Sequence, residues 1–319
     1  MQIARTQPRL NDLLMTKSKP LGLTTLILFL SSNAMMMNCI TYKQNVALEP
    51  IVLTSVASLV SIIIALPLFL FTRTPPTTTV SSKKLIKPYL WITLFTFTCW
   101  TSGYSALVNL NPVAFAAIVL STSSTITALA NIRKLSKLSM TGFLLTLGTA
   151  WVLSTSYSSV IQGTGLHDDY ELEIGVTFSI ACGISLYLIA LLSKRLNDLG
   201  QPLHKIQARR SLLAILVCAT IGLLDGALVT FVSEAPQLTT LTMIFLVLMQ
   251  SALVLSIRAI GRHVVTMGIA GTAVYTLIAQ VAFFQQSVDS LMVITIAGNA
   301  VGLILMSFVQ TKSNLTCQR

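Results

Sequence analysis

Residues 174–193 read IGVTFSIACGISLYLIALLS, twenty consecutive residues without a charged side chain. At a rise of about 1.5 Å per residue, such a stretch forms a helix about as long as the hydrocarbon core of a bilayer is thick. Glu171 and Glu173 precede the stretch, and Lys194 and Arg195 follow it directly. It therefore predicts a transmembrane helix whose basic end faces the cytoplasm.

The composition of the whole chain agrees with this interpretation. Of its 319 residues, 54% are hydrophobic and 10% are charged, and the mean hydropathy is +0.79. Soluble globular proteins carry about 25% charged residues, which excludes a soluble enzyme, and disorder, coiled coil and collagen are excluded as well. Barrel strands alternate polar and apolar residues in segments of about ten, whereas the apolar runs here are continuous. We predict an all-α polytopic membrane protein.

Apolar runs of similar length occur along the chain and define ten predicted spans, numbered here in chain order. These are Leu21–Ile40, Ile51–Phe71, Tyr89–Asn109, Pro112–Asn131, Ser139–Ser158, Ile174–Ser193, Ser211–Val232, Leu238–Ile257, Val264–Phe284 and Asp289–Val309. The run that begins at Leu21 could be a secretory signal. Because only a weak cleavage site occurs near Ser32 and Ala34, we interpret it as a retained first span.

Charge placement tests the number of spans. With a cytoplasmic N-terminus, 20 of the 21 Lys and Arg residues fall in inner segments, and only Lys43 falls outside. Seven of the ten acidic residues fall outside. One span more or fewer would invert every later loop, so the pattern predicts ten transmembrane helices with both termini cytoplasmic. The basic residues behind the net charge of +11 thus lie in short inner segments and not on a folded soluble domain, so no nucleic-acid partner is predicted.

The chain divides near its midpoint at the acidic segment QGTGLHDDYELE. The predicted organisation is a cytoplasmic tail (1–19), a five-helix repeat (20–158), an acidic extracytoplasmic linker (159–173), a second five-helix repeat (174–310) and a cytoplasmic tail (311–319). A basic cytoplasmic linker is predicted at Thr72–Pro88. Because each half has an odd number of spans, halves that share a fold are inverted repeats, as in many secondary transporters. A weak similarity between Ser105–Ser154 and Ser256–Ser307 supports this plan.

Local features accompany the ten-span plan. A polar pair, Ser32-Asn33, lies within span 1, Asn111-Pro112 opens span 4, and Gly148 and Gly298 lie in spans 5 and 10. Together they resemble the EamA-type permeases of the drug/metabolite transporter superfamily. The resemblance implies secondary active export or exchange of a small organic solute by alternating access. We expect a monomer or homodimer in a bacterial inner membrane, with solute and lipid as partners and without a cofactor or metal.

Asp225 in span 7 is the predicted coupling residue. It lies about 21 Å from the basic inner end at Arg209 and Arg210, across a hydrocarbon core about 30 Å thick. Charged side chains at such depth are costly and usually functional, so Asp225 would face the bundle interior and bind a proton, a cation or a substrate amine. The alternative is a helix that begins later and leaves Asp225 in the outer headgroup zone near Glu234.

Substrate-binding candidates come from aromatic and amide side chains near mid-membrane. In span 3, Phe97, Trp100 and Tyr104 share one helical face, and Trp100 and Tyr104 could stack on an aromatic or cationic solute. The alternative is that these aromatic residues only pack in the core or face lipid, with Tyr104 in the outer aromatic belt. The remaining candidates lie in four other spans: Asn33, Tyr187, Gln250 and Tyr275. Interhelical hydrogen bonds are the alternative role for such polar groups.

Other patterns predict structure rather than chemistry. Gly222 with Gly226, and Gly298 with Gly302, form GxxxG pairs, for which packing within one bundle is favoured over a dimer interface. The family resemblance puts spans 5 and 10 at the periphery, which removes Asn299 from the site. The five cysteines have no paired spacing, and we interpret those in apolar runs as small core residues.

Two further function classes are weighed against a carrier. A lipid-modifying intramembrane enzyme needs acid/base or metal groups, and the sequence has no HExxH, DxxD or GxSxG pattern, so no enzymatic activity is predicted. A membrane scaffold or receptor is disfavoured by the lack of a soluble domain. No Lys or Arg lies deep in spans 9 or 10, which favours neutral, zwitterionic or aromatic solutes over phosphorylated ones.

Overall fold

The computed structural model describes residues 7–42, 50–71, 82–130, 136–156, 169–234, 236–260, 265 and 268–316. Within these ranges the chain forms helices and no strand, as the all-α prediction requires. The first six helices are α1 (Gln7–Tyr42), α2 (Pro50–Phe71), α3 (Ser82–Asn109), α4 (Pro112–Ala130), α5 (Lys137–Ser156) and α6 (Asp169–Asp198). The later helices are α7 (Leu203–Arg210), α8 (Leu212–Ala214), α9 (Thr220–Leu224), α10 (Ala227–Glu234), α11 (Pro236–Ile260), α12 (Thr272–Phe284) and α13 (Ser290–Thr316).

The seventh predicted span differs most from expectation. A continuous helix over Ser211–Val232 is wrong, because a π-helical turn at Ile215–Ala219 joins α8 to α9 and a bend at Asp225 and Gly226 separates α9 from α10. Gly226 has φ of +72°, a conformation that side chains with a Cβ rarely adopt. The break therefore falls where the sequence supplies a glycine.

Helix ends also shorten two predicted loops. The linker expected at Thr72–Pro88 contains the first residues of α3, which begins at Ser82. The acidic linker overlaps α6, which begins at Asp169. Residues 159–168 of that linker lie outside the described part of the chain.

The start of α4 follows directly from its sequence. The Asn111 side-chain oxygen accepts a hydrogen bond from the Val113 backbone N–H at 2.8 Å, as a helix N-cap does. Pro112 occupies the first helical position, where its missing N–H costs nothing. The motif that opens span 4 is thus a helix start after a short turn.

Packing joins the two halves of the chain. The most extensive contacts are between α3 and α6 and between α1 and α11, followed by α5 with α13. The α4 helix also packs on α6, and α1 on α12, while α2 contacts the broken segment from α7 to α10. The main apolar core includes Ile40, Leu53, Ile92, Leu110 and Val113, each at most 1% exposed.

The outward faces of the helices are apolar. Leu144 and Trp151 of α5 are 62% and 72% exposed, and Ile294 of α13 is 68% exposed. In water such faces would forfeit about 25 cal/mol per Å² of apolar surface left unburied, whereas lipid tails solvate them. By length and composition, five segments in the described part could cross a membrane: Pro20–Thr41, Pro112–Ala130, Lys137–Thr155, Leu172–Asp198 and Lys205–Leu224.

Glycines allow α5 and α13 to approach closely. A Cβ placed on Gly142 would lie 2.7 Å from the Gly302 carbonyl oxygen and 2.8 Å from the Leu305 Cβ. A Cβ on Gly298 would lie 3.0 Å from the Thr149 methyl carbon. The GxxxG pair of span 10 therefore serves packing within the chain, as the sequence predicts.

Candidate functional site

The six predicted substrate-binding residues fall into two groups on different helix interfaces. Trp100 and Tyr104 lie on α3 and Tyr187 on α6, and these two helices pack against each other. Asn33 lies on α1 and Tyr275 on α12, which also contact each other. The sixth, Gln250, is on α11, which packs along α1, but its side chain lies outside the described part of the structure.

The aromatic residues of α3 are packed inward. Tyr104 is only 6% exposed, and the partly buried Trp100 packs against the same apolar core. This does not fit the alternative that places Tyr104 in a lipid-facing aromatic belt. On α6, Tyr187 is partly buried. Two helices that pack on each other, α3 and α6, thus carry three aromatic side chains that are at least partly buried.

The second group surrounds a smaller apolar cluster. The cluster contains Leu26, Phe29 and Leu30 of α1, and the partly buried Tyr275 packs against it. Asn33, one turn after Phe29 and Leu30 on α1, is also partly buried. Tyr275 therefore borders this apolar cluster, and Asn33 follows the cluster residues on α1.

Two buried amides that sequence reasoning missed lie between α1 and α12. Asn38 and Gln280 are both 0% exposed. The Asn38 side-chain nitrogen donates to the Ala34 carbonyl at 2.9 Å and to the Thr276 carbonyl at 3.2 Å. Gln280 lies one turn after Thr276, so its side chain projects from the same face of α12, about 5–6 Å along the helix. We call Asn38 and Gln280 the amide pair.

Three polar atoms of the amide pair have no hydrogen-bond partner among the described residues. They are Oδ1 of Asn38 and both Oε1 and Nε2 of Gln280. A buried amide without a partner costs about 1–3 kcal/mol by mutational measurements. Sequence inspection could have identified Gln280 as an amide within an apolar span, but its burial and its proximity to Asn38 depend on how α1 and α12 pack.

Asp225 does not face the bundle interior. Its side chain is exposed, and it lies at the bend between α9 and α10 rather than within a continuous helix. The expectation of an inward-facing carboxylate is therefore wrong in this structure. The reason is the helix break at Gly226, which reorients the chain at this point. The exposed position agrees with the alternative in which Asp225 lies near an interface.

Asn299 makes interhelical hydrogen bonds through its side-chain nitrogen, while its buried Oδ1 has no partner among the described residues. Its side-chain nitrogen donates to the Ser121 hydroxyl at 2.8 Å and to the Thr149 hydroxyl at 3.1 Å. These bonds tie α13 to both α4 and α5. Its removal from the candidate site agrees with this structural role.

Four cysteines, Cys39, Cys99, Cys182 and Cys218, are buried, as expected of small core residues. The sulfur atoms of Cys99 on α3 and Cys182 on α6 are 3.7 Å apart. This contact was not apparent from sequence spacing, because the two residues are 83 positions apart. The pair marks the tight packing of α3 on α6.

No family model matches the chain, and no curated protein matches it. A solved structure titled "Crystal structure of protein" is similar over 92% of this chain and 98% of that one, with a TM-score of 0.51 and 12% sequence identity. At that identity the similarity concerns the fold alone. The fold and the apolar exterior define the class: an all-helical protein with helices long and apolar enough to span a membrane.

Proposed function

We propose that the chain is a secondary carrier of the EamA-type, drug/metabolite transporter kind, which moves a small organic solute by alternating access. In this proposal ten spans form two inverted five-helix halves, both termini are cytoplasmic, and the membrane is a bacterial inner membrane. The carrier works as a monomer or homodimer. The observation that carries the proposal is the amide pair, whose polar atoms are buried in an apolar bundle without partners.

The packing pattern supports two equivalent halves. When the broken segment counts as one span, α1 and α3 of the first half correspond to α6 and α11 of the second, and α4 to α12. The contact of α3 with α6 then corresponds to that of α1 with α11, and α4 with α6 corresponds to α1 with α12. The last helices of the two halves, α5 and α13, correspond to each other and also contact each other. Such reciprocity is expected of a pseudo-two-fold arrangement with the solute at the repeat interface.

The same correspondence relates the two groups of candidate residues. Trp100, Tyr104 and Tyr187 lie on α3 and α6, while Asn33 and Gln250 lie on α1 and α11, the corresponding pair. The α3–α6 interface thus carries aromatic candidates, and its counterpart carries Asn33 on α1, with Tyr275 on the neighbouring α12. A carrier whose halves move against each other could use the two interfaces in turn.

The amide pair supports solute contact because hydrocarbon offers no hydrogen bonds. A polar group buried in a membrane bundle pairs with protein, water or ligand. Amide groups both donate and accept, so Asn38 and Gln280 suit a neutral or zwitterionic solute. This agrees with the solute class favoured by the sequence.

Counterflow tests the proposal. Proteoliposomes loaded with a pool of unlabelled amino acids, aromatic amines, carboxylates and nucleosides should accumulate at least one labelled member of that pool, transiently and saturably. Empty liposomes and heat-inactivated protein serve as controls. A membrane enzyme would chemically convert the label, and a scaffold would leave it outside, so either result would contradict the proposal.

Coupling by Asp225 remains a separate prediction. The Asp225 side chain is exposed, so it lacks the buried position that sequence reasoning assigned to it. The carrier proposal does not depend on it, because exchange of solute for solute needs no coupling ion.

A further inference from the structure

Two adjacent arginines at the end of α7 have different surroundings. Arg209 is exposed, its guanidinium carbon lies 4.8 Å from the centre of the Tyr89 ring, and its carbonyl accepts a hydrogen bond from Thr93 at 3.5 Å. Arg210 is partly buried, and its Nε atom is buried without a hydrogen-bond partner among the described residues. The neighbouring Ser211 is fully buried. Arg209 is therefore satisfied at the surface, while Arg210 enters the bundle.

The guanidinium of Arg210 lies beside the α3–α6 interface. Both α7 and α8 pack on α3. The buried Cys99 thiol is one of the groups near Arg210; Cys99 precedes Trp100 in the chain, and its sulfur lies 3.7 Å from the Cys182 sulfur. No carboxylate of the described residues forms an ion pair with Arg210. The charge thus lies near Cys99 on α3, the helix that carries Trp100, and has no ion pair among the described residues.

An unpaired guanidinium in a low-dielectric setting is costly unless an anion binds to it. The Nε–H and a neighbouring Nη–H are parallel donors that match the two oxygens of a carboxylate. Since Nε is the atom without a partner among the described residues, this edge of the guanidinium is the one that a carboxylate would satisfy. Positive-inside charge alone explains an exposed arginine such as Arg209, but it does not explain a buried Nε.

We propose that Arg210 binds the carboxylate of an organic solute at the end of the α3–α6 interface where α7 begins. Trp100 would contact the apolar body of the same solute. That this carboxylate belongs to the transported solute, as the carboxylate of a zwitterion would, rests on the proposed carrier function, whereas binding itself needs no transport. The headgroup of an anionic phospholipid presents similar chemistry, so the test has to separate a free carboxylate from lipid.

The test compares ligands of one shape and three charges. Radiolabelled phenylacetate is bound to the purified full-length protein in phosphatidylcholine nanodiscs and displaced by phenylacetate, phenylacetamide or phenethylamine. A charge-assisted pair favours the anion by about tenfold to a hundredfold over the neutral amide. Arg210→Gln should abolish that preference, and Arg209→Gln, the matched control, should retain it.

Arg210→Lys keeps the charge but loses the two parallel donors, so it should bind phenylacetate more weakly and still prefer it to the amide. If Arg210→Gln fails to fold, the Arg210→Lys result and the ligand series on the wild-type protein test carboxylate binding by Arg210 instead. Absence of binding, equal binding of acid and amide, or a preference retained in Arg210→Gln would overturn the proposal. So would loss of phenylacetate binding when phosphatidylglycerol replaces phosphatidylcholine, because the site would then belong to lipid.

The outcome is separable from that of the carrier proposal. Arg210-dependent binding without counterflow of any solute would leave the anion site and remove the transport function. Counterflow without any binding preference for the carboxylate would support the transport function and exclude the anion site at Arg210.

Discussion

The replacement Gln280→Leu should stabilise the fold and impair the function. Gln280 is 0% exposed, and both of its side-chain polar atoms lack partners among the described residues. Leucine has a similar volume and removes the buried amide. Because a partnerless amide costs about 1–3 kcal/mol, we expect the free energy of unfolding to increase by roughly that amount. Transport should decrease, since the amide would no longer bind solute.

Buried thiols provide the stability assay. Cys39, Cys99, Cys182 and Cys218 are buried, so a thiol-reactive fluorogenic dye reports their exposure on heating. Replacing Cys317, which lies outside the described residues, by serine removes its contribution to the signal. The apparent unfolding temperature of Gln280→Leu should then exceed that of the parent protein.

Gln237→Leu is the matched control. Gln237 is exposed at the start of α11, so its replacement should change neither the unfolding temperature nor counterflow appreciably. A Gln280→Leu variant that is less stable than the parent would mean that the amide has partners in the folded protein. An unchanged rate of counterflow would mean that Gln280 does not contact the solute. Either result would refute the reasoning from its unpartnered atoms.

The remaining predictions concern packing and coupling. In a protein whose only cysteines are Cys99 and Cys182, copper-phenanthroline should form a disulfide, since the sulfurs are 3.7 Å apart. After cleavage at a protease site inserted between α5 and α6, the two fragments should stay joined on a non-reducing gel. Separated fragments would contradict the α3–α6 contact. Gly142→Ala should be less stable than Gly148→Ala by about 1–3 kcal/mol, because only Gly142 meets α13 and Gly148 has nothing within 4 Å; equal unfolding temperatures would contradict the packing. Asp225→Asn should abolish uptake driven by a pH gradient and spare solute exchange, and gradient-driven uptake that survives in proteoliposomes would exclude Asp225 as the coupling residue.

Helix positions were largely predictable because apolar length and Pro, Gly and Asn placement act locally. The start of α4 at Asn111 and Pro112 follows from N-capping and a favourable first-turn proline. The break at Gly226 was not predicted, since a single glycine in an apolar run is compatible with a continuous helix. Whether it bends the chain depends on tertiary packing.

The candidate site was less predictable for the same physical reason. Periodicity places Trp100 and Tyr104 on one face of α3 but does not specify which helix that face meets. The inward position of Gln280 and the unpaired Nε of Arg210 depend on neighbours distant in sequence. Sequence reasoning placed Arg209 and Arg210 together at the basic inner end of span 7, as positive-inside charge.

Thiol labelling at Gln280 tests whether the chain transports a solute by alternating access. That mechanism requires a buried residue that contacts the solute to become reachable from each side of the membrane in turn. Gln280→Cys in a cysteine-free protein would be exposed to a membrane-impermeant thiol reagent added to one side or the other of oriented vesicles. The account predicts slow labelling from both sides, with either reaction reduced by a solute identified through counterflow. No labelling from either side would contradict it, as would labelling from one side alone.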